Sequence, residues 1–154
     1  MKIQTLIDPA QVFLDLQASS LEDALTTISE LAAPSLRLPA EVIARGLLER
    51  EALGSTAIGG GFAIPHCKLR GVNGIAITLA RFREAIAFGP SDEENVRFVF
   101  MVLSPPDQPA LHLQALSQIA RTLKSEDIRR QLLEVDDPAD IVEVVRLVTE
   151  GGRL

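Results

Sequence analysis

Two histidines, His66 and His112, and a single cysteine, Cys67, are the groups best suited to chemistry near neutral pH in this chain. An imidazole can act there as base, metal ligand or nucleophile. His66 closes the stretch Gly54-Ser-Thr-Ala-Ile-Gly-Gly-Gly-Phe-Ala-Ile-Pro65, which holds four of the ten glycines. Such a loop offers free backbone N–H groups and two small hydroxyls, Ser55 and Thr56, a composition able to hydrogen-bond a phosphoryl group. It is not a nucleotide motif. A P-loop needs G-x-x-x-x-G-K-[ST], and Gly60 stands where the lysine belongs; a dinucleotide fingerprint leads into a helix, whereas this loop leads into an apolar strand.

Metal binding and thiol catalysis are the competing chemistries. His66, Cys67 and His112, with Asp107 or Asp92, could supply ligands. However, no pair has the short spacing of common sites, and neighbouring side chains on a strand diverge. No metal and no cofactor are expected. Cys67 as a nucleophile would require its neighbour His66 to fold back as base. Taken alone, His66 reads equally as a turn residue, and His112 as an exposed histidine early in a helix.

The elements that must position these residues follow from periodicity. Val12–Leu16 alternates as a strand. Leu21, Ala24, Leu25, Ile28, Leu31 and Ala32 define an amphipathic helix over 20–33, capped by Ser19-Ser20 and ended by Pro34. A second helix starts with Pro39 as its first residue and runs to about Ala52. The strand 62–65 is ended by Pro65, which presents His66 at its C-terminal end. Ile75–Phe82 reads as a further strand, 87–95 as a solvated connection, and Val96–Leu103 as a central strand covered on both faces. Helices follow at about 110–123, from Ser125, and from Asp137-Pro138 to Gly151-Gly152. The expected fold is α/β: one domain, 1–154, with a mixed β-sheet of about four to five strands and helices on both faces.

Composition narrows the function. With 15 basic and 21 acidic residues the net charge is −6, so no global field favours nucleic acid or anionic membrane. The absence of Trp and Tyr argues against a base-stacking platform. The longest relevant apolar run, Phe98–Leu103, is far short of the roughly 20 residues that span a bilayer. The N-terminus lacks the apolar run of a signal peptide, and the lone cysteine suits a reducing compartment, so a cytoplasmic protein is expected.

The run Arg50-Glu-x-Leu-Gly-Ser-Thr-x-Ile-Gly-x-Gly-x-Ala-Ile-Pro-His66 resembles the motif of the type-2 (fructose/mannitol/nitrogen) enzyme IIA domains of the bacterial phosphoenolpyruvate-dependent phosphotransferase system. Leu6-Ile-Asp-Pro9, Leu14-Asp-Leu16, Ala85-Ile-Ala-Phe88 and Val102-Leu-Ser-Pro-Pro-Asp107, followed by His112-Leu-x-x-Leu-Ser-x-Ile-Ala120, extend the resemblance in the same order along the chain. It implies that His66 is phosphorylated, on Nε2 by analogy, by an HPr-like phosphohistidine donor. Arg50 and His112 match the family's active-site arginine and second histidine. Gly54, Ser55 and Thr56 are then expected to bind phosphate. Cys67 falls where a small residue, often glycine, is usual. The opening looks more like the standalone nitrogen-type regulatory enzyme IIA, read by regulatory partners. The alternative is a sugar-transport enzyme IIA that passes phosphate to a fructose- or mannitol-type enzyme IIB.

Overall fold

The computed structural model describes residues 1–151. Its centre is β6 (Asn95–Ser104), on which seven consecutive residues, Phe98 to Ser104, are fully buried. Phe98, Phe100 and Val102 point to one face, and Val99, Met101 and Leu103 to the other. A strand with no polar face must be covered on both sides. α1 (Leu21–Leu36) and α2 (Ala40–Glu51) cover one face through Leu25, Ile28, Ile43 and Leu47. α3 (Pro109–Thr122), α4 (Glu126–Glu134) and α5 (Pro138–Gly151) cover the other through Ile119, Leu132 and Val145.

The sheet has six strands, one more than the upper end of the expected range. In addition to β1 (Val12–Leu16), it contains β2 (Ala57–Gly59), β3 (Phe62–Ala63), β4 (His66–Lys68) and β5 (Ala76–Ala87). Its order is β1-β5-β6-β3-β2, with β4 also paired to β6. β5 is antiparallel to β6, while β3 and β4 both run parallel to it along the same edge. The sheet is therefore mixed, with helices on both faces, as the alternation of elements implies.

Several boundaries differ from the sequence reading. Pro65 interrupts a strand instead of ending one. The ladder resumes with His66 opposite Val102, because Pro65 forfeits only an N–H and its carbonyl still accepts from the Val102 N–H at 2.9 Å. Pro34 lies within the last turn of α1; the bond it removes concerns the carbonyl of exposed Glu30. The helix closes instead at Arg37, which adopts a left-handed conformation (φ 56°, ψ 40°). Pro39 is the N-cap of α2, one position before the first helical residue. β5 runs five residues beyond Phe82, because exposed Arg83, Glu84 and Ala85 at a register shift mask its return to the core at Ile86. The 87–95 connection holds a short turn of 3₁₀ helix, Asp92–Glu94, capped by Ser91. The caps at Ser125 and Asp137 are present. Gly152, expected to close the last helix, lies outside the described residues.

Two contacts fix the layers. Gly46 brings α2 onto β4: a Cβ there would meet Cys67 Sγ at 2.9 Å and Leu69 Cδ2 at 3.0 Å. On the opposite face Arg81, only 3% exposed, crosses from β5 to the C-terminal end of α4. It donates to the Leu132 carbonyl at 3.0 Å, to the Val135 carbonyl and to the Asp136 carboxylate at 2.8 Å. Those carbonyls lack helical partners, so the guanidinium acts as a C-terminal cap delivered from the sheet. Replacing Arg81 with Ala is expected to cost roughly 2–3 kcal/mol, since it strands the Leu132 and Val135 carbonyls, while the ion pair with exposed Asp136 adds little. Urea unfolding measures this, and an unchanged midpoint would remove Arg81 from the stabilising contacts.

Candidate functional site

His66 opens β4, and its backbone is fixed by pairing with β6. Its Nδ1 lies 2.7 Å from the Ile64 carbonyl oxygen. A carbonyl only accepts, so Nδ1 carries the proton, and the neutral ring keeps a free lone pair on Nε2. The half-buried ring has a pKa below the usual 6.5. Burial is the main cause, and the Arg50 charge acts in the same direction; the Ile64 bond and Glu51 oppose them.

His112 projects from the first turn of α3 and is 6% exposed, buried where the sequence alone suggested a solvated helix face. The two imidazole centroids are 5.4 Å apart, with planes tilted by 58°. His112 Nδ1 lies 2.6 Å from Ser104 Oγ, at the end of β6. Its pKa falls from 6.5 to about 4, chiefly through burial, then through His66 and Lys68. The positive end of α3 also disfavours the imidazolium. At neutral pH both histidines are therefore uncharged.

Arg50 stands in the last turn of α2, its Nη1 donating to the Gly54 carbonyl at 2.9 Å. Its neighbour Glu51 faces inward, where its carboxylate accepts from the Thr56 N–H at 3.1 Å and from the Thr56 hydroxyl. Ser55 Oγ accepts from the Ala57 N–H at 3.1 Å. Adjacent residues at one helix end thus split the work: Glu51 anchors the loop, and Arg50 reaches out over it.

Arg50, His66 and His112 line one cleft of about 430 Å³, together with Gly46, Glu49, Leu53, Cys67, Lys68, Leu113 and Leu116. Gly54, Ser55 and Thr56 are not among its lining residues. Thr56 is buried, with its N–H and hydroxyl both engaged by Glu51. Lys68 is a cleft residue that the sequence reading does not single out. His-x-Lys on a strand places both side chains on one face, so the signal was present once His66 was known to lie within a strand. Cys67 points the opposite way, against Gly46, and burial pushes its thiol up to about 12. Among the described residues, no group of three or more His, Cys, Asp or Glu side chains is placed to hold a metal ion. None of the described helices is long and apolar enough to cross a membrane.

The arrangement is a neutral imidazole with a free lone pair on Nε2, sharing one cleft with a guanidinium and a second neutral imidazole, on a mixed α/β sheet. The same fold is seen in the nitrogen regulatory protein IIA-Ntr from Neisseria meningitidis, with a TM-score of 0.86 and 27% identity, covering 93% of this chain and 98% of that one. The nitrogen regulatory protein of Escherichia coli K12 is 38% identical over 133 residues, 86% of this chain and 81% of the relative. A fructose-specific EIIA component of the phosphotransferase system in Haloferax volcanii is 32% identical over 149 residues, 96% of this chain and 97% of the relative. Residues 5–147 match the family described as phosphoenolpyruvate-dependent sugar phosphotransferase system, EIIA 2. The chain belongs to that family, with both nitrogen-regulatory and sugar-specific relatives.

The His112 shift has a measurable consequence. The unfolded chain protonates this ring below about 6.5, but the folded protein does so only below about 4. Between these values the unfolded state binds more protons, so stability falls as the pH is lowered across that window, then levels off below it. Wild type is expected to lose more stability than His112→Gln between pH 7 and pH 4 in urea unfolding. Equal losses would contradict a buried neutral His112.

Proposed function

We propose that this protein is a phosphocarrier that accepts a phosphoryl group on Nε2 of His66 from an HPr-like phosphohistidine protein. In this reading residues 1–154 form one cytoplasmic EIIA domain that works as a nitrogen-type regulatory component. The observation that carries the proposal is the 2.7 Å contact from His66 Nδ1 to the Ile64 carbonyl, which leaves Nε2 as the nucleophile in a cleft shared with Arg50 and His112.

The Nε2 lone pair of His66 attacks phosphorus as the donor's N–P bond breaks, and the departing electron pair stays on the donor imidazole nitrogen. His66 keeps its Nδ1 proton, and the Ile64 carbonyl stabilises the positive charge that develops on the ring. Three equatorial oxygens need neutralising in such a loose transition state. Arg50 offers a planar fork to two of them, and His112 offers an N–H to another. Lys68 adds a second cation to the same cleft. The donor is already an activated phosphoramidate, so the chemistry requires neither nucleotide nor metal. Gly54, Ser55 and Thr56 contribute to phosphate binding at one remove. Gly54 anchors Arg50 through its carbonyl, while Ser55 and Thr56 hold the loop at its correct depth.

The nitrogen-type reading is supported by the 38% identity to the E. coli nitrogen regulatory protein. A sugar-transport role, passing phosphate to a fructose- or mannitol-type enzyme IIB, is supported by the H. volcanii fructose-specific relative.

Incubation with phosphoenolpyruvate, enzyme I and an HPr-type carrier is expected to give one acid-labile phosphate, absent in His66→Ala. Arg50→Ala is expected to slow its appearance by roughly 10²–10³, with Arg50→Lys a poor substitute because a point charge cannot make the bidentate contact. Labelling of His66→Ala at the wild-type level would overturn the assignment. Subsequent discharge to a purified enzyme IIB would select the transport role.

A further inference from the structure

We propose that Ser104 is a positioning residue that sets the tautomer of His112, holding its proton on Nε2, the nitrogen turned away from the serine. This inference extends the phosphoryl-transfer reading of the cleft by assigning the proton that His112 must present to the phosphoryl group.

Ser104 is the last residue of β6 and fully buried. Its carbonyl is occupied, accepting from the Leu69 N–H at 2.9 Å. Its hydroxyl has His112 Nδ1 as a partner at 2.6 Å, and no buried side-chain polar atom among the described residues lacks a partner. A neutral imidazole carries one proton, and a serine hydroxyl can donate once. If Nδ1–H donated to Oγ, the hydroxyl proton of fully buried Ser104 would need a second acceptor, and among the described residues no such contact is present. If the hydroxyl donates to Nδ1, the pair is satisfied by a single bond and the ring proton resides on Nε2. The imidazolium, which could donate from both nitrogens, forms only near pH 4.

The two histidines then hold opposite tautomers. His66 is protonated on Nδ1 by virtue of the Ile64 carbonyl, and His112 on Nε2 by virtue of the Ser104 hydroxyl. One ring presents a lone pair to the cleft and the other presents a donor, so their roles in transfer are distinct although the residues are chemically identical. Both settings are made by the sheet. Ile64 lies beside β6 in the gap between β3 and β4, and Ser104 is registered opposite Lys68 at the end of β6. Ser104 touches no phosphoryl group; it acts only through the orientation and proton of His112.

Long-range ¹H–¹⁵N correlation spectra of the full chain at pH 7 read both tautomers directly, without any phosphorylation step. His112 is expected to show a protonated Nε2 and an unprotonated Nδ1, with the reverse for His66. In Ser104→Ala the His112 pattern shifts toward a mixture, and transfer from the HPr-type donor slows roughly tenfold, less than the hundredfold or more expected for removing a donor outright. Ser104→Thr, which keeps the hydroxyl, restores both. A protonated Nδ1 on His112 in the wild-type protein would overturn the proposal without touching the assignment of His66. So would a Ser104→Ala variant with wild-type tautomer and rate. A wild-type protein that takes up no phosphate would instead defeat the phosphocarrier reading while leaving the tautomer assignment to stand on its spectra.

Discussion

The organisation of this protein follows from the need to bury β6 on both faces. A strand as apolar as Phe98–Leu103 has no side to offer water, so two helical layers must cover it. That constraint also determines where chemistry can occur. At the strand's C-terminal end a cleft is lined from both layers: Arg50 comes from the α2 layer, His112 from the α3 layer, and His66 from β4, which pairs with that end of β6. The polar residue that ends the apolar run, Ser104, lies at this same boundary.

The cleft manages charge by keeping its imidazoles neutral. Burial lowers the pKa of both rings, leaving Arg50 and Lys68 as the positive groups and Glu49 as the negative one. Under the proposed function a phosphoryl group would meet fixed cations and an N–H donor there rather than a pair of imidazoliums. In the proposed transfer His66 would need no deprotonation before attack, because its Nε2 already lacks a proton. Arg50 is steadied by the Gly54 carbonyl, and the loop bearing Gly54 is steadied by Glu51, so the cation's position is set by backbone and buried carboxylate together.

Much of this was legible in the sequence. The β6 run, the amphipathic helices and the caps at Ser20, Ser125 and Asp137 follow from periodicity and local hydrogen-bonding chemistry. The sequence singles out Arg50, His66 and His112, and the fold brings these three to one cleft from positions far apart in the chain. What was not legible depended on non-local pairing. Pro65 reads locally as a strand end, and only the presence of β6 alongside lets the ladder resume at His66. The depth of His112 is invisible in an early helical turn until the sheet beneath it is placed. Arg81 and Glu51 look like surface charges, yet each is buried because a distant or folded-back segment supplies its partner. Lys68 required the strand reading of His66 before its side chain could be assigned to the same face.

The proximity of Cys67 to His66 has a chemical consequence. Two potential nucleophiles sit side by side on one short strand, and partial withdrawal from water sorts them in opposite senses. A thiol is reactive only as its anion, and at a pKa of about 12 its anionic fraction at pH 7 is on the order of 10⁻⁵. An imidazole is reactive when neutral, so the same withdrawal increases the fraction of His66 able to attack. A single environmental variable thus silences sulfur and arms nitrogen. Under the proposed function the strand carries a cysteine beside its acceptor histidine without creating a rival nucleophile.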